Sequence, residues 1–196
     1  MEHIRSFIAI ELPQQTKAEL ASLEKQLKAG QHSFIKWVDP EDIHLTLKFL
    51  GDIASTAVPE IAEAMTRIVQ PVPPFSLQIA ELGVFPNWQR PQVTWVGTRG
   101  DIDKLARLHK ELETALCSLG FKPESRSFTA HLTLGRLRER ATPRDRQNFG
   151  DWARSVKFDS GRSFEVKALS LMRSQLTPSG PIYSQIACAR LGGTAA

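Results

Sequence analysis

His44-Leu45-Thr46-Leu47-Lys48-Phe49-Leu50 and His131-Leu132-Thr133-Leu134-Gly135-Arg136 open on the same tetrapeptide, once in each half of a chain of 196 residues. Both copies lie in short apolar runs bounded by turn residues, 43–50 and 128–134, which read as β-strands. A strand sends alternate side chains to opposite faces. His44 and Thr46 therefore share one face with Leu45 and Leu47 on the other, and His131 and Thr133 stand likewise against Leu132 and Leu134. Each copy joins a leucine face suited to a core with a polar face carrying one imidazole and one hydroxyl. Two such faces can line a groove.

A lone His-x-Thr on a strand says little, because threonine favours strands and a single histidine is commonly a hydrogen-bonded structural residue. An identical string in comparable strand contexts of both halves points to duplication or functional pairing. Composition limits what the groove can be. With 41% hydrophobic residues the chain can bury a substantial core, and 25 lysines and arginines against 21 acids give a net charge of +4. That excess permits an anionic partner without requiring one. Cys117 and Cys188 have no metal-ligand or redox spacing, so two free thiols are expected. Met1-Glu2-His3-Ile4-Arg5 runs straight into strand-like sequence, and no segment reaches membrane-spanning length, so a soluble cytoplasmic protein without membrane contact is expected.

Outward from the motifs, the sequence alternates strands and helices. A strand is predicted over 6–12, then a helix over 14–29 opened by Pro13 and stopped at Gly30. Strand 34–38 leads by the turn Asp39-Pro40-Glu41-Asp42 into the first motif strand, which is expected to end at Gly51. Helix 57–69 carries the stripe Ile61, Met65, Ile68 and Val69. Strands 75–82 and 92–97 flank a loop, Gly83 to Trp88. Helix 101–119 places His109 on its apolar face, where a core or edge role is expected. Segment 135–146 holds five arginines and two acids and reads as a solvated loop for most of its length. Thr142-Pro143 caps a further helix to about Arg154. Strands 164–173 and 183–190 close the chain as a hairpin around a turn at 177–181, and 192–196 should fray. Several adjacent strands among these units argue for α+β architecture rather than a doubly wound parallel sheet.

Two opposed histidines have a clear chemical use. A neutral imidazole accepts a proton from water while the opposite imidazolium donates one to a departing alkoxide, and both states are accessible near neutral pH. In-line displacement at phosphorus is the reaction class that suits this arrangement. Thr46 and Thr133 are then placed to hydrogen-bond phosphate oxygens as charge builds up. No metal or other cofactor enters the scheme. Gly-x-Ser-x-Gly, His-Glu-x-x-His and a Gly-x4-Gly-Lys-Ser/Thr loop are all missing from the sequence, which disfavours serine hydrolase, metal hydrolase and nucleoside-triphosphate readings.

The paired motifs resemble those of the two-histidine phosphoesterase superfamily. Within it, the chain is similar to the bacterial RNA 2′,3′-cyclic phosphodiesterases, also called 2′-5′ RNA ligase-like proteins. Arg5-Ser6-Phe7-Ile8-Ala9-Ile10-Glu11-Leu12-Pro13, Trp37-Val38, Leu82-Gly83-Val84-Phe85-Pro86, Val93-Thr94-Trp95-Val96-Gly97 and the closing Ser174, Gly180 and Tyr183 carry the resemblance beyond the motifs, over nearly the whole chain. It implies an α+β fold forming one domain of two pseudo-symmetric lobes, with antiparallel sheets lining a central cleft, helices outside and one motif per lobe. It also implies hydrolysis of an RNA terminal 2′,3′-cyclic phosphate to a 2′-phosphomonoester, with His44 as proton donor and His131 as proton acceptor. The near-symmetry of the motifs does not by itself assign those two roles.

Arg136 matches a phosphate-contacting arginine of the group. Phe7, Phe49, Phe85, Trp88 and Trp95 are candidates for stacking a terminal base, with Phe7 and Phe49 taken as substrate-binding. Partners would be RNA with a cyclic phosphate end or small cyclic nucleotides, met by a monomer. Joining of tRNA halves through a 2′-5′ bond, or RNA-end binding without turnover, are the alternatives. Relatives commonly have proline before the second motif histidine. Ala130 stands there in this chain, from which altered rigidity is expected but no lost chemistry.

Overall fold

The computed structural model describes residues 2–158, 162–178 and 180–192. Thirteen elements follow in chain order: β1 (His3–Glu11), α1 (Gln14–Lys28), β2 (Ile35–Trp37), β3 (His44–Ala54), α2 (Val58–Val69), β4 (Phe75–Phe85), β5 (Val93–Gly100), α3 (Ile102–Ser118), β6 (His131–Leu137), α4 (Pro143–Ser155), β7 (Ser163–Val166), β8 (Ala168–Thr177) and β9 (Gly180–Arg190). The α+β architecture is as expected from sequence.

The strands form one path, β7-β4-β5-β6-β3-β1-β8-β9, with β2 alongside β6. Every pairing is antiparallel. The two expected sheets are recognisable as its halves, β7-β4-β5-β6-β2 and β3-β1-β8-β9. They meet at a single rung, Leu45 against Leu132, the second residue of each motif. Lys167 alone separates β7 from β8, although β7 lies at the far edge of one half and β8 inside the other, so the sheet must curl.

Helices cover the leucine side. In α1 the expected Leu20, Leu23 and Leu27 are fully buried, and the helix gives way at Ala29 and Gly30. Pro59 sits in the first turn of α2, whose stripe Ile61, Met65, Ile68 and Val69 is buried as patterned. Asp101 precedes α3 and accepts the Ser76 amide, tying the helix start to β4. A reciprocal capping box between Thr142 and Asp145 opens α4. Leu45, Leu47, Leu132 and Leu134 lie in the core these helices share. Full burial of one such side chain is worth about 1.5–3 kcal/mol.

Several expected boundaries move. The second motif strand begins at His131, not Phe128, and runs to Leu137 because β5 and β2 offer it partners as far as Arg136 and Leu137. Arg136 thus stands on a strand rather than in the arginine loop. The first motif strand does not stop at Gly51 but passes through it at φ 74, a conformation glycine tolerates, and pairs with β1 as far as Ala54. β4 extends past Leu82 to Phe85, because Val93 and Thr94 continue its ladder. The predicted strand 164–173 is two strands, β7 on β4 and β8 on β1. The closing hairpin pairs as far as Thr177 against Gly180, tighter than the expected turn at 177–181. Ser179 of that turn and the predicted frayed tail 193–196 lie outside the described residues.

Candidate active site

Both motif histidines are the first residue of their strand, and both are anchored in the same way. His44 Nδ1 is 2.7 Å from the Asp42 carbonyl oxygen, and His131 Nδ1 is 2.7 Å from that of Thr129. A carbonyl only accepts, so each Nδ1 carries the proton and each Nε2 is left for the cleft. Ala130 precedes His131 as Ile43 precedes His44, and the two anchors match in length. The hydroxyls of Thr46 and Thr133 are likewise unengaged by other described residues.

The rung at Leu45 and Leu132 fixes how these groups meet. In an antiparallel ladder the residues flanking a paired position face their opposites crosswise, so His44 lies toward Thr133 and Thr46 toward His131. All four side chains stand on the face opposite the buried leucines. His44 and His131 are diagonal neighbours about this rung, and in a regular antiparallel ladder such neighbours stand roughly 7–8 Å apart. Two Nε2 atoms can then straddle one tetrahedral phosphorus.

After each motif the strand bulges. Ala9 pairs with Thr46 but Ile8 with Lys48, and Trp95 pairs with Thr133 but Thr94 with Gly135. One extra residue per strand reverses the alternation. It returns Phe49, opposite Phe7, and Arg136, opposite Val93, to the cleft face. The fifth residue after each histidine is thereby re-aimed into the groove: an exposed aromatic ring in one lobe, a guanidinium in the other.

Each imidazole is held between aromatic rings. Phe7 stacks on His44 at 4.6 Å between centroids and 24° between planes, and Tyr183 meets the same ring edge-on at 5.2 Å. Phe85 meets His131 edge-on at 5.1 Å, with Trp95 6.1 Å away and 4.8 Å from Phe85. Phe7 is 3% exposed and packs with Ala9, Met172 and Tyr183, so it supports the histidine rather than offering a platform. Phe49 is 61% exposed and fits that role. Trp88 is not brought to the cleft: it packs under Arg154 of α4 at 5.2 Å, and a Cβ at Gly150 would overlap its carbonyl.

The surroundings break the symmetry. Glu11 lies across the ladder from His44, where Gly97 lies across from His131. The Glu11 carboxylate accepts from Ser170 at 2.8 Å and Gln185 at 2.9 Å, which fixes a negative charge beside one imidazole. Burial pushes His44 below the ordinary imidazole value, and Lys17 adds to this, while the Asp42 carbonyl and Glu11 oppose it. Burial raises the Tyr183 hydroxyl, helped by Asp42 and opposed by Arg136 and Arg5, so that hydroxyl stays protonated and able to donate.

Sequence reasoning assigned no role to Glu11, Ser170, Gln185 or Tyr183. Glu11 and Tyr183 entered there only among the residues that carry the family resemblance. His109 is a structural residue as expected, stacked on Phe128 at 4.0 Å. Among the described residues no three His, Cys, Asp or Glu side chains cluster as metal ligands, and no helix is long and apolar enough to cross a membrane.

Two lobes of antiparallel sheet, each presenting a histidine and a threonine to one cleft, are the build of a two-histidine phosphoesterase. The chain belongs to the LigT-like phosphoesterase family, whose pattern matches it twice, over residues 10–95 and 96–183, one match for each motif. It is 31% identical to the RNA 2′,3′-cyclic phosphodiesterase of Methanothermobacter thermautotrophicus over 96% of this chain and 99% of that protein. Its identity to the protein of the same name from Methanocaldococcus jannaschii is 33%, over 93% and 98%. Among solved structures, TT0787 of Thermus thermophilus superposes with a TM-score of 0.79 at 27% identity, over 98% of this chain and 100% of that one. Escherichia coli LigT complexed with 3′-AMP shares the fold, with a TM-score of 0.74 at 24% identity and the same coverage.

Proposed function

We propose that this protein is an RNA 2′,3′-cyclic phosphodiesterase, opening a terminal cyclic phosphate to a 2′-phosphomonoester by acid–base catalysis between His44 and His131. What supports this is the twin anchoring of the imidazoles, each Nδ1–H on the carbonyl two residues back, which leaves each Nε2 to act on a substrate. Relatives that this chain matches over more than nine-tenths of both lengths bear that activity in their names.

In the reaction, water attacks phosphorus opposite the 3′ oxygen and gives its proton to His131 Nε2. The bond from phosphorus to the 3′ oxygen breaks, and His44 Nε2 protonates that oxygen, leaving a 3′ hydroxyl and a 2′ phosphate. Thr46 and Thr133 hold the non-bridging oxygens, Arg136 contacts substrate phosphate further along the cleft, and Phe49 takes the terminal base. Glu11 supports the donor role of His44, because a carboxylate beside one imidazole favours its protonated form. Burial, with Lys17, lowers that ring's affinity for a proton, and the anionic phosphate on arrival adds to Glu11 in drawing a proton onto it. The two lobes work as one domain, in a monomer of the cytoplasm, in keeping with Cys117 and Cys188, both exposed and unpaired.

The test is incubation of the purified protein, in chelator, with a short RNA ending in a 2′,3′-cyclic phosphate, followed by identification of the product end. A 2′ phosphate is expected. A 3′ phosphate would reverse the leaving group, retention of the cyclic end at every pH would leave an RNA-end binder, and 2′-5′ joining to a 5′-hydroxyl RNA would make ligation the activity.

A further inference from the structure

Lys36 on β2 pairs directly with Arg136 on β6. Directly paired residues point to the same side of a sheet, and Arg136 faces the cleft because it also pairs with Val93, which shares a face with Trp95 opposite Thr133. Lys36 therefore faces the cleft too, while its neighbours Ile35 and Trp37 pack against the core. Arg138 follows just past the end of β6, its amide bonded to the Phe34 carbonyl. Lys36, Arg136 and Arg138 are all exposed. Among the described residues no carboxylate lies within ion-pair distance of any of them.

Like charges set directly opposite each other destabilise a strand pair. An anion between the two cations would reverse the sign of the interaction. The pair stands at one mouth of the cleft, with Phe49 toward the other, because β3 and β6 run in opposite directions from the Leu45–Leu132 rung. Allowing for the bulge, Arg136 is two rungs beyond Thr133, roughly 7 Å along the strand. A phosphate one linkage from the terminal nucleotide reaches that far.

We propose that Lys36 and Arg136 form a second anion subsite, which holds the phosphate on the 5′ side of the terminal nucleotide. The substrate class is thereby an RNA strand rather than a free cyclic mononucleotide. This rests on the cyclic phosphodiesterase reading above and specifies its substrate. Backbone phosphate contacts of this kind are independent of base sequence and weaken as salt rises.

Two measurements test it. The first is kcat/KM for a 2′,3′-cyclic mononucleotide with a 5′ hydroxyl and for a dinucleotide with the same cyclic end, at low and high salt. The dinucleotide should be favoured about tenfold or more at low salt and less so at high salt, and Lys36→Ala should remove most of that ratio, Lys36→Glu all of it. The second is binding of a fluorescent trinucleotide with a 2′-phosphate end, which Lys36→Glu should weaken about tenfold or more. An unchanged ratio and unchanged binding in both variants would overturn the subsite. Failure of the wild-type protein to open either cyclic substrate, with trinucleotide binding still sensitive to Lys36→Glu, would overturn the hydrolase reading and leave the subsite standing.

Discussion

Leu45 pairs with Leu132 across the seam between the lobes, and both side chains are fully buried on the helix side. That rung carries two loads at once. It joins the halves of the core, and it sets the distance between the imidazoles, each one residue from a paired leucine on the other face.

Truncating Leu45 to alanine should therefore cost more activity than stability alone explains. A buried leucine-to-alanine change destabilises by about 2–5 kcal/mol, which thermal unfolding will read. Measured well below the melting temperature, kcat should also fall by about tenfold or more as the strands shift. Unchanged kcat in a folded Leu45→Ala protein would show that the rung does not set the geometry.

Lys48 is held under the sheet by a different consequence of the bulge. Its Nζ lies 2.9 Å from Glu113 of α3 and 2.7 Å from the Lys122 carbonyl, and the residue is 3% exposed. Glu113 also accepts the Glu124 amide, so this pair fastens the segment that leads toward the second motif. Lys48→Met removes the lysine charge from a largely buried carboxylate and should cost about 3 kcal/mol. The double variant Lys48→Met with Glu113→Leu should recover part of that loss in a denaturant titration.

Glu11→Gln keeps the size of the side chain and removes its charge. His44 then loses a group that favours its protonated form, and its affinity for a proton falls further below the ordinary imidazole value. A general acid must be protonated to act, so the alkaline limb of the kcat/KM profile should move toward lower pH, with kcat/KM at pH 7.5 reduced several-fold. Glu11→Asp should restore part of the shift. A profile unmoved by the charge change would remove Glu11 from the assignment of His44 as donor.

Stability should also depend on pH in a defined window. His32, His44 and His109 are all held below the ordinary value of 6.5, burial being the largest cause in each, opposed by Asp145 at His32, by the Asp42 carbonyl and Glu11 at His44, and by Glu113 at His109. Between those lowered folded-state values and 6.5 the unfolded chain binds more protons than the folded one, so stability rises with pH. It is fully present above 6.5 and lost as pH falls through the folded-state values. The melting temperature should drop by a few degrees from pH 7.5 to 5.5, and His109→Gln should flatten that slope.

The motif faces were legible in the sequence because strand alternation is local and the string occurs twice. Phe49 and Arg136 could be named, but their shared position in the cleft depends on bulges that no residue pattern announces. Only the pairing of Ile8 with Lys48 and of Thr94 with Gly135 reveals them. The division of 164–173 at Lys167 was hidden for a related reason: apolar strand sequence continues across it, and which neighbour each piece joins is a tertiary matter. Glu11 lies in a strand buried on both faces, where alternation is erased, and its partners Ser170 and Gln185 come from the far end of the chain.

The most direct measurement is kcat/KM on a 2′,3′-cyclic-ended RNA for His44→Ala, His131→Ala and the double variant, with folding checked by circular dichroism. Groups that act as one unit lose their effect together, so each single change should cost about a thousandfold or more and the double variant little beyond that. Either single variant retaining a tenth or more of wild-type activity would contradict a reaction carried by two imidazoles on one phosphorus.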